Sequence, residues 1–180
     1  NKTIKNTVAS ESVKAGFVDA IDNFIKTPEK YKVRGLPYKI GFVLYGEPGC
    51  GKTSIVKAVA QHHNIPIFVV NLDSIDNNDA FVKVTNMISN HVTSGKIHIL
   101  LFEDADRSKL FGSSHYERKK ISMSTMLNVL DGVDETHGRI NILSANNLSK
   151  LMTDSAMCRP GRIDKVIHLT YCTTDQIKRI

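Results

Sequence analysis

The segment from Gly46 to Thr53 constrains this chain more than any other. Its eight residues match G-x-x-x-x-G-K-[ST], the pattern of a phosphate-binding loop. An apolar run, Ile40–Tyr45, enters the segment, and a helical pattern, Ser54–Ala60, leaves it. Strand, glycine-rich loop and helix is the arrangement that this pattern requires. The chain is therefore predicted to bind a nucleoside triphosphate.

The chemistry of this loop specifies a ligand and a metal. Backbone amides of a glycine-rich loop, together with the N-terminus of the next helix, can surround a polyphosphate. Lys52 is placed to reach the terminal phosphates, and the Thr53 hydroxyl is placed to bind Mg²⁺. The sequence thus predicts a site for ATP and Mg²⁺, with nucleotide-binding residues Gly46, Glu47, Pro48, Gly49, Cys50, Gly51, Lys52, Thr53 and Ser54.

Length and composition fit one globular domain. The chain has 180 residues, 41% hydrophobic and 23% charged, which is ordinary for such a domain. No apolar run is long enough for a membrane-spanning helix. Three cysteines, an odd number without metal-type spacing, favour reduced thiols in a reducing, intracellular compartment. The net charge of +6 fits a nucleic-acid partner or a triphosphate site and does not decide between them.

Strand-like runs alternate with helical patterns along the chain, which predicts an α/β fold with a five-stranded parallel sheet covered on both faces. The predicted strands are Ile40–Tyr45, Ile65–Asn71, Ile97–Phe102, Ile140–Ser144 and Val166–Leu169. The predicted helices are Ser12–Ile25, Lys52–His62, Asp79–His91, part of Ile121–Leu130 and a short one near Ser155, while Ser108–Lys120 is predicted to be a loop.

Two further strands end in polar side chains that suit this chemistry. Glu103 and Asp104 follow the apolar run Ile99–Phe102, so one carboxylate can hold Mg²⁺ and the other can orient or deprotonate a water. Asn146 follows the next strand, where its amide can hold that water in line with the γ-phosphate. The metal ligands predicted at this site are therefore Thr53 and one of these two carboxylates.

Arg159 and Arg162 lie on either side of a Pro-Gly pair, which suggests a rigid presentation of two guanidinium groups. Arginine stays charged and pairs with phosphate oxygens through its planar fork, so these residues can act as arginine fingers. A second interpretation stays open. Either arginine can instead form a salt bridge within the chain, with Asp154 or Asp164.

Together these motifs resemble the AAA family of ring-forming ATPases, over nearly the whole chain. The segment Asp154–Asp164 looks like the end of the family's second region of homology, and Ser144–Asn146 like its start. The branch that contains the mitochondrial chaperone of the Rieske iron–sulfur protein is the most similar. The residues that carry this likeness are Arg34–Tyr38, Leu127–Gly132, Tyr171-Cys172 and the acid order Glu103-Asp104, which most family members reverse.

The resemblance implies a P-loop NTPase three-layer sandwich, the AAA core, over residues 1–175, and the start of a truncated helical lid over 176–180. It implies an ATPase that assembles into a homo-oligomeric ring, a hexamer or similar, and acts on a protein substrate. For the site, the resemblance implies that Glu103 is associated with the metal, that Asp104 activates the water, and that Asn146 is the sensor amide. Arg159 and Arg162 match fingers that act across a subunit boundary, and the region of Thr7 and Val8 matches the segment that borders the adenine.

The chain departs from the family at Asn71–Asn78, which has no aromatic residue where many members carry a polypeptide-gripping loop. Sequential gripping is therefore not expected. Other readings of the same motifs also remain: a nucleic-acid motor or clamp-loader-like ATPase, a small-molecule kinase, and a nucleotide-gated scaffold with little turnover. The sequence shows no helix-turn-helix or zinc-finger pattern to support the first of these.

Overall fold

Five parallel strands form one sheet in the computed structural model, which describes residues 13–92, 96–111, 121–132, 138–152 and 154–171. The strand order is β2-β3-β4-β1-β5, so β1 lies between β4 and β5. The predicted α/β fold with a five-stranded parallel sheet is confirmed. The strands are β1 (Lys39–Tyr45), β2 (Ile67–Val69), β3 (His98–Phe102), β4 (Arg139–Ala145) and β5 (Lys165–His168).

Helices cover both faces of this sheet, which makes three layers. The helices are α1 (Asp19–Lys26), α2 (Pro28–Val33), α3 (Lys52–His63), α4 (Asn78–His91), α5 (Met123–Asp131) and α6 (Leu148–Leu151). A π-helical turn, Lys14–Val18, precedes α1, and 3₁₀ turns lie at Leu72–Ser74, Ala105–Arg107, Lys109–Phe111 and Ser155–Cys158. Buried side chains of α1 and α3 pack on one face, and those of α4 and α5 pack on the other.

The central strands are buried on both sides because each face has its own apolar layer. In β1, Phe42 and Leu44 belong to the layer under α1 and α3, whereas Val43 belongs to the opposite layer. Phe17 packs edge-on against Phe42, with ring centroids 5.1 Å apart. Such continuous burial is typical of a parallel strand between two helical layers. It explains why most residues of these strands are apolar.

Local boundaries differ from the prediction where a backbone donor is missing or packing overrides polarity. The strand predicted at Ile65–Asn71 is shorter in the structure, where β2 spans Ile67–Val69. It begins after Pro66, which has no N–H to donate to a ladder. Helix α2 was not predicted. Of the loop predicted at Ser108–Lys120, Leu110 and Phe111 are buried in a 3₁₀ turn, and residues 112–120 lie outside the described part.

Some predictions fall on residues that the structure does not describe. These are the adenine-bordering region at Thr7 and Val8 and the start of a lid at 176–180. Among the described residues, none of the helices combines the length and the apolar character needed to cross a bilayer.

The first residues of β3 and β4 place polar groups inside the domain. His98 and Arg139 are directly paired in the sheet, and each is at most 3% exposed. Arg139 donates from one guanidinium nitrogen to the carbonyls of Val129 (2.5 Å) and Leu130 (3.2 Å) near the end of α5. Burial, together with the nearby charge of Arg139, lowers the pKa of His98 to about 4. This histidine is therefore neutral in the folded domain near pH 7.

His98 should make the fold acid-sensitive. The unfolded chain takes up the imidazole proton near pH 6.5, whereas the folded domain takes it up only near pH 4. Protonation thus favours the unfolded state between these values, and we expect this residue to remove roughly 2 kcal/mol of unfolding free energy from pH 7 to pH 5. Urea unfolding at the two pH values measures this loss.

The matched variants are His98→Leu, which should lose that part of the pH dependence, and His62→Leu on the exposed face of α3, which should keep it. If His98→Leu lost as much unfolding free energy between pH 7 and pH 5 as the wild type, His98 would not be the cause of the acid sensitivity.

Candidate active site

The glycine-rich loop leaves β1 along a path that needs glycine at its first position. Gly46 has φ 150°, and a Cβ there would lie 2.0 Å from the carbonyl oxygen of Leu169. At the other end of the loop, Gly51 adopts a left-handed conformation, φ 95°, as the N-cap of α3. Amides of the loop and of the first turn of α3 thus lie at one end of the sheet, where the helix dipole favours an anion.

Lys52 connects the loop to the end of the neighbouring strand. Its side chain is mostly buried, and its ammonium group donates to the Gly46 carbonyl (2.7 Å), the Glu47 carbonyl (3.1 Å) and Asn146 Oδ1 (2.8 Å). Cys50 Sγ lies 4.0 Å from the same nitrogen. The predicted phosphate-binding cation and the predicted sensor amide are therefore in direct contact.

Thr53 and Glu103 form the second contact across the site. The Thr53 hydroxyl donates to Glu103 Oε1 over 2.7 Å, although the residues are 50 positions apart in the chain. A hydroxyl and a carboxylate are hard oxygen ligands of the kind that Mg²⁺ takes. The donor set therefore fits the magnesium ion predicted for these two residues.

Asp104 occupies an uncommon backbone conformation beside this contact. Its φ is +46°, in the left-handed region that non-glycine residues rarely adopt. The Asp104 N–H donates to the hydroxyl of Ser144 in β4 (3.0 Å), and Arg107 lies 3.8 Å from its carboxylate. Its side chain is 52% exposed. Strained residues of this kind concentrate at functional sites, where the surroundings fix the side chain in one direction.

Asp106 was not among the predicted site residues, yet it holds one of them in place. Its carboxylate is buried and accepts the backbone N–H groups of Asn146 (3.1 Å) and Asn147 (3.0 Å). These bonds tie the turn after β3 to the turn after β4. The only sequence signal for Asp106 is its place two residues after the acid pair, in Glu-Asp-Ala-Asp.

The loop and the two strand ends surround one open cavity of about 350 Å³. This volume suits a small-molecule ligand. Arg107 is another lining residue that the sequence analysis missed, since nothing in the pattern distinguishes it from any surface arginine. The cavity is lined by Pro48, Gly49, Gly51, Lys52, Thr53, Ser54, Asp104, Arg107 and Asn146.

The structure does not bring the two predicted finger arginines to this cavity. A Cβ on Gly41, near the start of β1, would lie 1.7 Å from the Arg162 carbonyl oxygen. Gly46 follows Gly41 by five positions, which is about 16 Å along β1. Arg162 therefore lies at the amino-terminal edge of the sheet, opposite the phosphate loop.

Arg162 also has a partner that the sequence analysis did not identify. It pairs with Asp131 through two bonds of 2.7 and 2.5 Å, which hold the pKa of Asp131 below its usual value. The two expected partners serve backbone amides instead: Asp154 accepts from Ala156, and Asp164 accepts from Gly41 and Gly161. The intrachain salt bridge is thus present with another carboxylate, and the finger role of the arginines stays a prediction.

Comparison with known proteins identifies curated relatives along almost the whole chain. It is 34% identical to Protein HYPER-SENSITIVITY-RELATED 4 of Arabidopsis thaliana, over 99% of this chain and 32% of the relative. It is 32% identical to Probable mitochondrial chaperone BCS1-A of Dictyostelium discoideum and 31% identical to Mitochondrial chaperone BCS1 of Homo sapiens, in each case over 99% of this chain and 43% of the relative. The chain thus spans about a third to two fifths of the length of these relatives.

The predicted likeness to the mitochondrial chaperone branch is confirmed by these relatives. Residues 42–171 match the model of the family described as "ATPase family associated with various cellular activities (AAA)". That range begins within β1 and includes the phosphate loop, both acids after β3, Asn146 and the two arginines. The chain therefore belongs to the AAA family of ATPases.

Proposed function

We propose that this chain binds ATP with Mg²⁺, hydrolyses it, and couples hydrolysis to the remodelling or translocation of a protein substrate. One observation carries the proposal: three strand ends converge on the same site. The phosphate loop follows β1, Glu103 and Asp104 follow β3, and Asn146 follows β4. Ligands of parallel α/β sheets bind at such carboxyl-terminal edges. Membership of an ATPase family supports hydrolysis as the reaction.

The loop would hold the triphosphate, and two oxygen ligands would hold the metal. Lys52 and the backbone amides of the loop would bind phosphate oxygens, while Thr53 and Glu103 would bind Mg²⁺. When bound, the metal neutralises negative charge on the phosphate oxygens. Because the Lys52 ammonium lies 2.8 Å from Asn146, both side chains would meet the same end of the triphosphate.

Asp104 and Asn146 would act on the attacking water. The water oxygen bonds to the γ-phosphorus, its proton passes to the Asp104 carboxylate, and the bond to the β–γ bridging oxygen breaks. Asn146 would orient the water through its amide. The exposure of Asp104 to the cavity supports this division, since Glu103 already contacts the predicted metal ligand Thr53.

Asp106 would act as a positioning residue for Asn146. A buried carboxylate that accepts two backbone N–H groups fixes the turn that carries the amide. Asp106 lies two residues after Asp104, so its bonds would also fix the distance between the proposed base, Asp104, and the proposed water-orienting amide, Asn146. Misplacement of such groups by about 1 Å is enough to slow a reaction strongly.

A second copy of the chain would complete each site. Arg159 and Arg162 lie on the segment at the opposite edge of the sheet, about 16 Å of strand away from the loop, so neither can serve the site of its own chain. A head-to-tail arrangement of copies would bring this edge to the loop of a neighbour, and such contacts close into rings. We propose a homo-oligomeric ring, a hexamer or similar.

The substrate of the ring is proposed from the relatives. Two of them are named mitochondrial chaperones, which supports a protein as the substrate. Asn71–Asn78 contains no aromatic residue to grip a threaded chain, so we propose movement or remodelling without sequential threading. Stimulation of phosphate release by DNA would instead indicate a nucleic-acid substrate.

Phosphate release from Mg-ATP over a range of protein concentrations tests the proposal. Specific activity should rise with concentration, because each site needs a neighbour. Lys52→Ala should lower turnover by at least about a hundredfold, since a buried cation at the phosphates is lost. Lys57→Ala, an exposed lysine on the same helix, is the matched control and should remain active.

Normal turnover in Lys52→Ala would refute the site. Tight ATP binding without phosphate release at any concentration would favour a nucleotide-gated scaffold, and stimulation by DNA would favour a nucleic-acid motor.

Asp106→Asn should lower kcat by about tenfold or more with little change in ATP affinity, because an amide oxygen replaces a carboxylate that accepts two N–H groups. Steady-state kinetics and titration with a fluorescent ATP analogue separate the two quantities. Asp79→Asn, an exposed acid at the start of α4, is the control. Equal losses in kcat and affinity, accompanied by a lower melting temperature, would show that Asp106 serves only the fold.

A further inference from the structure

The segment Arg159–Arg162 is a single tight turn with fixed ends. The Arg162 N–H donates to the Arg159 carbonyl over 3.0 Å, Pro160 follows Arg159, and Gly161 has φ 86°. Proline second and a left-handed glycine third are the marks of a type II β-turn. The two arginines are therefore the first and last residues of one turn, and they need not share one task.

Arg162 is directed into its own chain. One edge of its guanidinium donates to both carboxylate oxygens of Asp131, at 2.7 and 2.5 Å. Another N–H donates to the Ala156 carbonyl, at 2.8 Å. The side chain is 11% exposed. Planar bidentate pairing of this kind is the strongest and most directional form of an arginine–carboxylate contact. To reach a phosphate on another molecule, Arg162 would have to abandon it.

Asp131 is a suitable anchor because its helix end is itself fixed to the sheet. It is the last residue of α5, whose terminal carbonyls accept bonds from buried side chains at the start of two strands. Lys39 of β1 donates to the carbonyls of Leu130 and Asp131, and Arg139 of β4 donates to that of Leu130. The pair Arg162–Asp131 thus joins the turn to the base of β1 and β4.

Arg159 differs from Arg162 in both exposure and pairing. Its side chain is exposed, and within the described ranges no carboxylate lies close enough to form an ion pair with it, although its charge helps to lower the pKa of Asp131. Arginine that is exposed on a rigid turn can extend to an anion without first breaking a local salt bridge. The same turn therefore presents one guanidinium to the outside and fixes the other inside.

We propose that the two arginines divide the work at the shared site. Arg159 contacts the triphosphate bound to the neighbouring copy, and Arg162 is a positioning residue that works through Asp131 to hold the turn. This inference rests on the proposed function, since it assigns roles within that shared site. It makes Asp131, thirty-one residues away in sequence, part of the apparatus that presents the finger.

The experiment compares phosphate release by Arg159→Ala, Arg162→Ala, Asp131→Asn and the double variant Asp131→Asn/Arg162→Ala. Arg159→Ala should lower kcat by about a thousandfold, as loss of an arginine finger does. Arg162→Ala and Asp131→Asn should each lower it on the order of tenfold, and the double variant should be no worse than either, because one contact is lost in all three. Arg34→Ala, an exposed arginine, is the control.

Two further measurements, nucleotide affinity and the activity of a lysine variant, separate a loss of positioning from a general loss of folding. Every variant keeps its own phosphate loop at the opposite edge, so its affinity for a fluorescent ATP analogue should stay at the wild-type value. If Arg162→Ala does not fold, Arg162→Lys replaces it, since lysine keeps the charge but lacks the bidentate fork, and it should match Asp131→Asn in kcat.

The outcomes distinguish this inference from the function on which it rests. Near-normal kcat in Asp131→Asn, with a loss in Arg162→Ala as deep as in Arg159→Ala, would show that Arg162 itself contacts the phosphate, and it would overturn the inference alone. Full activity in Arg159→Ala would remove the shared site from the proposed function, and the division of roles with it.

Discussion

The parallel pairing of β1 with β4 is the contact on which the rest of the domain depends. Seven residue pairs, from Lys39–Arg139 to Tyr45–Ala145, place the two strands in register, and the Gly46 N–H continues the ladder to Ala145. Since parallel strands end at the same edge, this register brings the phosphate loop beside Asn146. The pairing of β3 with β4 adds Glu103 and Asp104 to that edge. The chemistry of the site is therefore a consequence of strand order.

The same register gives the sheet a second, chemically different edge. At the amino-terminal ends of β1 and β4, buried Lys39 and Arg139 bond to the last carbonyls of α5, and Arg162 pairs with the final residue of that helix. One end of the domain thus suits a triphosphate, while the other carries a fixed turn with an exposed arginine. The proposed shared site would join these two ends through head-to-tail association of copies.

Features that are encoded in a continuous stretch of residues could be predicted from the sequence, whereas contacts between distant residues could not. The phosphate loop is contiguous, and the central strands are mostly apolar because both faces are covered, so their residues could be identified from the sequence. Asp131 could not be identified as the partner of Arg162, because Asp154 and Asp164 are nearer to that arginine in sequence. The pairing that the structure shows depends on where α5 ends. The roles of Asp106 and Arg107 likewise depend on how two turns meet in space.

The most direct test of the account mixes two inactive variants of the chain. Lys52→Ala lacks a working phosphate loop but keeps Arg159, whereas Arg159→Ala keeps the loop but lacks the exposed arginine. If sites are shared between copies, some interfaces in the mixture combine an intact loop with an intact arginine, and phosphate release should exceed the sum of the separate variants. A mixture that co-assembles yet releases no more phosphate than that sum would contradict the account.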